Sequence, residues 1–149
     1  MIKGLSVYAE KQYKINKSNI HLLIGRLKIH LNFFISYLSI NFVNNEQILA
    51  INKKFLGHNY FTDVITFNYS KESNNFDGEI LISIDEAKKN AKKYKVDLNE
   101  EIARLIIHGV LHLLGFDDQN SKKRIIMKSY EDKLININKK YLQNLIETE

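Results

Sequence analysis

Apolar positions along this chain follow two different periods, one typical of β-strands and one typical of amphipathic helices. Short runs rich in β-branched and aromatic residues, or alternating with polar ones, predict strands at 5–9, 37–42, 64–69 and 78–84. Helical spacing predicts helices from Ser18 or Asn19 to about Phe34, and from a cap at Asn45 to near Gly57. The last two strands could form a hairpin or lie side by side.

Three further helices are predicted in the second half of the chain. Asp85 and Glu86 open the first, whose lysine-rich side is interpreted as a solvated face rather than an RNA-contacting ridge. The other two helices begin at a cap at Asp97 or Asn99 and at a cap at Asn120 or Ser121, and the last extends as far as Leu145. Because strands and helices mix without strict alternation, residues 1–149 are predicted to form one compact α+β domain, a small mixed sheet packed with helices.

The amino-acid composition limits which metal ligands, partners and cellular locations are expected for this protein. None of the 149 residues is cysteine, so a metal ion could be held only by nitrogen and oxygen ligands. The net charge of +5 points to a polyanionic partner, but only weakly, since all but three of the 22 basic residues are lysine in a composition typical of an AT-rich genome. No signal sequence and no apolar run long enough to span a bilayer are found, so a cytoplasmic protein without membrane contact is expected.

The most informative segment lies in the apolar helix before residue 116. His108 and His112 are four residues apart, which places them on the same face of a helix, where two imidazoles can bind one metal ion. Gly115 can end the helix in the left-handed conformation, so that the chain turns back and presents Asp117 or Asp118 as a third ligand. Asp118 stands at the +10 position of the metzincin spacing. A buried, hydrogen-bonded core histidine is the simpler alternative, but two histidines followed by this turn favour a metal site.

One position of this motif argues against the alternative that the protein is a peptide-cleaving metallohydrolase. Zincin proteases carry their general base, a glutamate, directly after the first histidine. In this chain that position is Gly109.

The segment from His108 to Asp117 closely resembles the signature of the YbeY family, which is His-Gly-x-Leu-His-Leu-x-Gly-Tyr-Asp-His. Three other segments are also similar to the family and occur in the same order: Asn52 to Phe67 with its Thr-Asp-Val-Ile-Thr-Phe ending, Gly78-Glu79-Ile80, and the pair Met127 and Glu131. The resemblance covers roughly residues 45–135.

Three departures from the family pattern bear on the chemistry. Asp118 stands where the family has its third histidine ligand, and aspartate is also a competent zinc ligand that adds one negative charge. Leu56 stands where the family usually carries an arginine, and Phe61 where it carries a proline. Lys53, Lys54 and His58 lie near Leu56 and could supply the missing positive charge to an RNA backbone.

The resemblance implies an enzyme of known type. Members of this family are bacterial zinc-dependent endoribonucleases that cleave single-stranded RNA, in 16S rRNA 3′-end maturation and ribosome quality control. It further implies one Zn²⁺ per chain on His108, His112 and Asp118, and an rRNA precursor and the small ribosomal subunit as partners. A non-catalytic ribosome-assembly factor with a structural metal is the alternative, because no general base is evident in the motif.

Two side-chain roles remain open from the sequence. Arg104, one turn before His108, is predicted to form a salt bridge with Glu100 or Glu101, and the alternative is contact with an RNA phosphate. Tyr60 and Phe61 are interpreted equally well as core residues or as platforms on which unpaired bases stack.

Overall fold

Four strands form one mixed sheet in the computed structural model, which describes residues 1–147. They are β1 (Leu5–Ala9), β2 (Phe34–Val43), β3 (Val64–Asn68) and β4 (Asn75–Ser83). The sheet order is β1-β2-β4-β3, with β2 parallel to both β1 and β4, and β3 antiparallel to β4. The last two strands are therefore a hairpin, and the predicted α+β class with a small mixed sheet is confirmed.

Five α-helices accompany the sheet in the described part of the chain. They are α1 (Lys17–Leu31), α2 (Asn45–Ile51), α3 (Ile84–Tyr94), α4 (Leu98–Leu113) and α5 (Ser121–Ile137). A π-helical turn, Asn52–Leu56, extends α2, and a 3₁₀ turn, Lys139–Tyr141, follows α5. None of the helices in residues 1–147 is long and apolar enough to cross a bilayer.

Two helix starts differ from the prediction because an asparagine just upstream provides the cap. The Asn16 side chain accepts a hydrogen bond from the backbone N–H of Asn19 at 3.1 Å, so α1 begins before Ser18. Asn44, not Asn45, caps α2 and forms a reciprocal pair with Gln47. Each asparagine satisfies a backbone donor that the first helical turn leaves free.

The predicted extension of the last helix to Leu145 is wrong. The helix ends at Ile137, and the buried Asn138 donates from its side-chain amide to the Leu134 carbonyl oxygen at 2.9 Å. The chain then turns so that Leu142, Leu145 and Ile146 pack into the core. Burial of these three apolar side chains, which a straight helix would carry away from the domain, favours the turn.

The sheet separates two apolar clusters of unequal size. Alternate residues of β2 and β4, among them Ile40 and Ile80, face the large cluster that contains the buried sides of α1 and α4. The opposite face, with Leu81 of β4, joins a small cluster under α2. Helix α4 lies so close to β4 that a Cβ atom on Gly109 would be 2.9 Å from Ile80 Cδ1. Any side chain at position 109 would therefore have to displace the Ile80 side chain of β4, which favours glycine at this position.

Candidate metal centre and the cavity beside it

Helix α4 presents His108 and His112 on one side, one turn apart, and their ring nitrogens converge as predicted. The helix ends at Leu113, and Gly115 adopts a φ of +105°, which favours glycine. The N–H of Gly115 donates to the carbonyl oxygen of His112 at 3.0 Å, so the chain reverses directly after the second histidine. This reversal brings Asp118 back to the two rings.

Three side-chain atoms meet at one point beside this turn. His108 Nε2 lies 3.0 Å from His112 Nε2 and 3.7 Å from Asp118 Oδ2, and His112 Nε2 lies 3.8 Å from Asp118 Oδ2. A triangle with these sides has its centre about 2 Å from each corner, which is the usual length of zinc bonds to nitrogen and oxygen. The group could hold a metal ion.

Asp117, the other aspartate of the turn, has different contacts. Its carboxylate accepts hydrogen bonds from the backbone N–H of Gln119 at 3.2 Å and from Lys123 Nζ at 3.1 Å. Those two bonds, the backbone one first, lower the pKa of the Asp117 carboxyl. Asp117 thus stabilises the turn, while Asp118 faces the histidines.

Glu131 of α5 fixes the orientation of the first histidine. Its Oε2 lies 2.6 Å from His108 Nδ1 and accepts that hydrogen bond, which leaves the Nε2 lone pair of His108 directed at the candidate metal position. Burial lowers the pKa of His108, but the hydrogen bond and the charge of Glu131 outweigh it, so the pKa is raised overall. Burial and the neighbouring His108 lower the pKa of His112. Three electron-pair donors that face one another in this way are suited to a cation.

Arg104 forms ion pairs with different partners from those predicted. Its Nη1 lies 2.8 Å from Asp132 and 3.4 Å from Glu131, both on α5, and not beside Glu100 or Glu101. The predicted pairing is wrong because α5 packs against α4 and brings its carboxylates closer. Arg104 thereby balances the negative charge of the buried Glu131.

A cavity of about 640 Å³ opens beside the three donor atoms, between α3, α4 and α5. Asn90 of α3 lies in its wall and donates from its side-chain amide to Asp63 at 3.0 Å and to Glu101 at 3.1 Å. Burial raises the pKa of Glu101. Tyr94 of α3 is 61% exposed and also lines this cavity. Sequence reasoning did not find these wall residues, because no local spacing connects Asp63 with Asn90 and Glu101.

Lys53, Lys54 and His58 lie outside that cavity. All three are exposed, the lysines on the π-helical turn and His58 just after it. His58 stacks on Tyr60 with ring centroids 5.1 Å apart and lines a smaller cavity. Val64 lines both cavities, so the two are neighbours. Of the three predicted RNA contacts, His58 thus lies in the neighbouring cavity, and Lys53 and Lys54 line neither cavity.

Tyr60 and Phe61 are 56% and 49% exposed, so the interpretation of these rings as core residues is wrong. Leu56, at the position of the family arginine, is 43% exposed and lines only the smaller of the two cavities described above. The cations that line the larger cavity come from α4 and α5: Arg104, Arg124 and Lys128.

The sequence of this chain is similar to those of known proteins. The sequence model of the family described as Endoribonuclease YbeY matches residues 5–139. The chain is 37% identical over 131 residues to Endoribonuclease YbeY of Chlorobium phaeobacteroides, covering 88% of this chain and 92% of that protein. It is 43% identical over 103 residues to the protein of the same name from Parabacteroides distasonis, covering 69% of this chain and 70% of that one.

The fold is also found in a solved structure. The solution structure of a Thermotoga maritima protein superimposes with a TM-score of 0.62 at 23% identity, covering 91% of this chain and 92% of that chain. At this identity the likeness concerns the fold alone. The match of the family model and the identities to the relatives carry the assignment: the chain belongs to the Endoribonuclease YbeY family.

Proposed function

We propose that this protein is a zinc-dependent endoribonuclease that cleaves single-stranded RNA and acts in 16S rRNA 3′-end maturation and ribosome quality control. The observation that carries the proposal is the convergence of His108, His112 and Asp118 at the wall of a cavity with cationic side chains in its lining. Membership of an endoribonuclease family supports RNA as the substrate.

One zinc ion per chain would be held by His108, His112 and Asp118. Zinc is commonly bound by nitrogen and oxygen ligands of this kind, and three protein ligands are typical of catalytic sites, whereas structural sites normally have four. The three side chains are 22%, 26% and 44% exposed, so one side of the group remains open to a substrate. Bound zinc would supply a more acidic water and stabilise negative charge on a phosphoryl oxygen.

The protein's own side chains would orient the zinc ligand His108. Glu131 Oε2 holds the proton on His108 Nδ1, so that Nε2 is free to bind. Arg104 forms an ion pair with Glu131, so the charge of this carboxylate, which is only 7% exposed, is balanced within the protein. Asp118 in place of a histidine adds a negative charge that strengthens the hold on a cation.

Lys53, Lys54 and His58 are proposed to contact the RNA backbone as it approaches the cavity. The exposure of all three side chains supports this role, and His58 lines a smaller cavity that shares Val64 with the larger one. The exposed rings of Tyr60 and Phe61 offer faces on which unpaired bases can stack, which favours single strands over duplex.

The test compares the wild-type protein with His112→Ala, using His30→Ala as the control because His30 is an exposed histidine on α1. Zinc content is measured on each purified protein, and cleavage is followed on one RNA sequence presented as a single strand and as a duplex. We expect zinc and single-strand cleavage to be lost together in His112→Ala, and chelation followed by zinc addition to abolish and restore cleavage in the wild type.

Two results would oppose the proposal. Zinc-loaded wild-type protein that binds RNA without cutting it would indicate a non-catalytic assembly factor. Cleavage that persists in His112→Ala at the wild-type rate would separate the activity from the metal centre. In cells, depletion of the protein should cause 16S rRNA with unprocessed 3′ ends to accumulate, as mapped by primer-based sequencing of those ends.

A further inference from the structure

Arg124, in the first turn of α5, lines the cavity together with His108 and Asp118. Its Nη1 donates to the backbone carbonyl oxygen of Asp118 at 3.2 Å, and its Nη2 donates to Ser121 Oγ at 3.2 Å. These two bonds hold the guanidinium next to the turn that carries Asp118. A guanidinium has five N–H donors, so most of its hydrogen-bonding capacity remains.

The other basic side chains around the cavity are paired with carboxylates. Arg104 pairs with Asp132 and Glu131, and Lys128 lies 3.8 Å from Asp132. Lys123, next to Arg124 in the chain, pairs with Asp117. Within residues 1–147, Arg124 is the cavity-lining cation that no carboxylate neutralises.

The local charge around Arg124 is unfavourable for the helix itself. Acidic residues stabilise the first turn of a helix because they face the positive end of its dipole. The first turn of α5 has no acidic residue and contains Lys122, Lys123 and Arg124. Helix stability therefore does not explain Arg124, whereas an anionic ligand in the cavity that it lines does.

We propose that Arg124 forms a phosphate-binding subsite of this cavity and holds a phosphodiester group of single-stranded RNA beside His108, His112 and Asp118. This inference rests on the proposed function. The planar guanidinium can donate two parallel hydrogen bonds to one phosphate, and its two existing bonds reduce the entropy lost on binding. The subsite lies on α5, far along the chain from the lysines at positions 53 and 54.

The test measures the affinity of the zinc-loaded protein for a short fluorescent oligouridylate, at several salt concentrations and before cleavage proceeds. Arg124→Ala should weaken binding about tenfold or more and reduce the slope of log affinity against log salt by about 0.7. Arg124→Lys should lie in between, because it keeps the charge but loses the two-pronged geometry. Lys133→Ala is the matched control, since this exposed lysine lies on the opposite side of α5, and it should leave binding unchanged.

Zinc affinity, measured by competition with a chromophoric chelator, separates phosphate binding from support of the Asp118 turn. We expect all three variants to bind zinc as the wild type does. If Arg124→Ala and Arg124→Lys both lose zinc along with RNA, Arg124 only holds the turn and the inference is wrong. Binding by Arg124→Ala equal to that of Lys133→Ala would also overturn it. If wild-type protein shows no salt-dependent RNA binding, the proposed function fails, and this subsite fails with it.

Discussion

Glu131 Oε2 and His108 Nδ1 are 2.6 Å apart and join α5 to α4 directly behind the candidate metal position. Through this contact the orientation of one proposed zinc ligand depends on a residue of another helix. The same contact sets the tautomer of the ring, because the protonated Nδ1 leaves Nε2 unprotonated.

Glu131→Ala should therefore weaken zinc binding by about 10- to 100-fold, the usual effect of removing the hydrogen-bond partner of a metal-bound histidine. Competition with a chromophoric chelator measures this. Asp132→Asn is the control, because Asp132 also pairs with Arg104 but has no contact with His108 among those described. Equal zinc affinity in the two variants would contradict the orienting role of Glu131.

The two adjacent aspartates give a matched pair of variants. Asp118→Ala should reduce zinc affinity by roughly two orders of magnitude or more, because it removes one of three proposed ligands. Asp117→Ala should bind zinc nearly as well as the wild type, since its carboxylate contacts Gln119 and Lys123. Zinc titration of both variants is the measurement, and the reverse order of affinities would assign Asp117 as the ligand.

Zinc should also contribute to thermal stability, because its proposed ligands and Glu131 connect α4, the following turn and α5. With free zinc at a hundredfold excess over its dissociation constant, the melting temperature should exceed that of chelated protein by about 5–10 °C. Calorimetry in zinc and in chelator measures the difference, and His112→Ala should lose it. Identical melting of the wild type under both conditions would show that the metal does not stabilise the fold.

Glu101 should make stability depend on pH. Burial raises its pKa in the folded protein, so folded Glu101 binds its proton more tightly than unfolded Glu101. The free energy of unfolding should then decrease as pH rises from the unfolded pKa, about 4.3, through the raised folded pKa. Glu101→Gln should be more stable than the wild type at neutral pH, and this advantage should disappear in acid.

Urea unfolding at several pH values measures this dependence. Glu100→Gln is the control for loss of a negative charge from the first turn of α4. A Glu101→Gln variant whose stability relative to Glu100→Gln does not change with pH would contradict the role of burial.

The lysines of the π-helical turn should contribute to RNA affinity through charge. A Lys53→Ala/Lys54→Ala double variant should bind single-stranded RNA more weakly, with the salt slope reduced by roughly 0.7 for each RNA phosphate that a lysine no longer neutralises. The Lys139→Ala/Lys140→Ala double variant is the control, because it removes two exposed adjacent lysines from the turn after α5. If both double variants show the same decrease in affinity, the effect comes from net charge and not from a binding surface.

Features that depend on local backbone geometry could be predicted from the sequence. The spacing of His108 and His112 fixed their shared side, because an α-helix repeats every 3.6 residues. Gly115 marked the end of that helix, because glycine readily adopts positive φ. Alternation of apolar residues and runs of β-branched and aromatic residues located all four strands, although β2 and β4 each begin three residues earlier than predicted.

Contacts between side chains that are distant in the sequence could not be predicted, because they depend on how the helices pack. Glu131 is 23 positions from His108, and its role depends on the packing of α5 against α4. Arg104 pairs with a carboxylate on α5 instead of its predicted partner. Arg124 lines the cavity, whereas Lys53 and Lys54, which were predicted to contact RNA, do not. Such contacts arise from the burial of apolar helix sides, which sets how helices pack, and no spacing along the chain encodes where the polar side chains then come together.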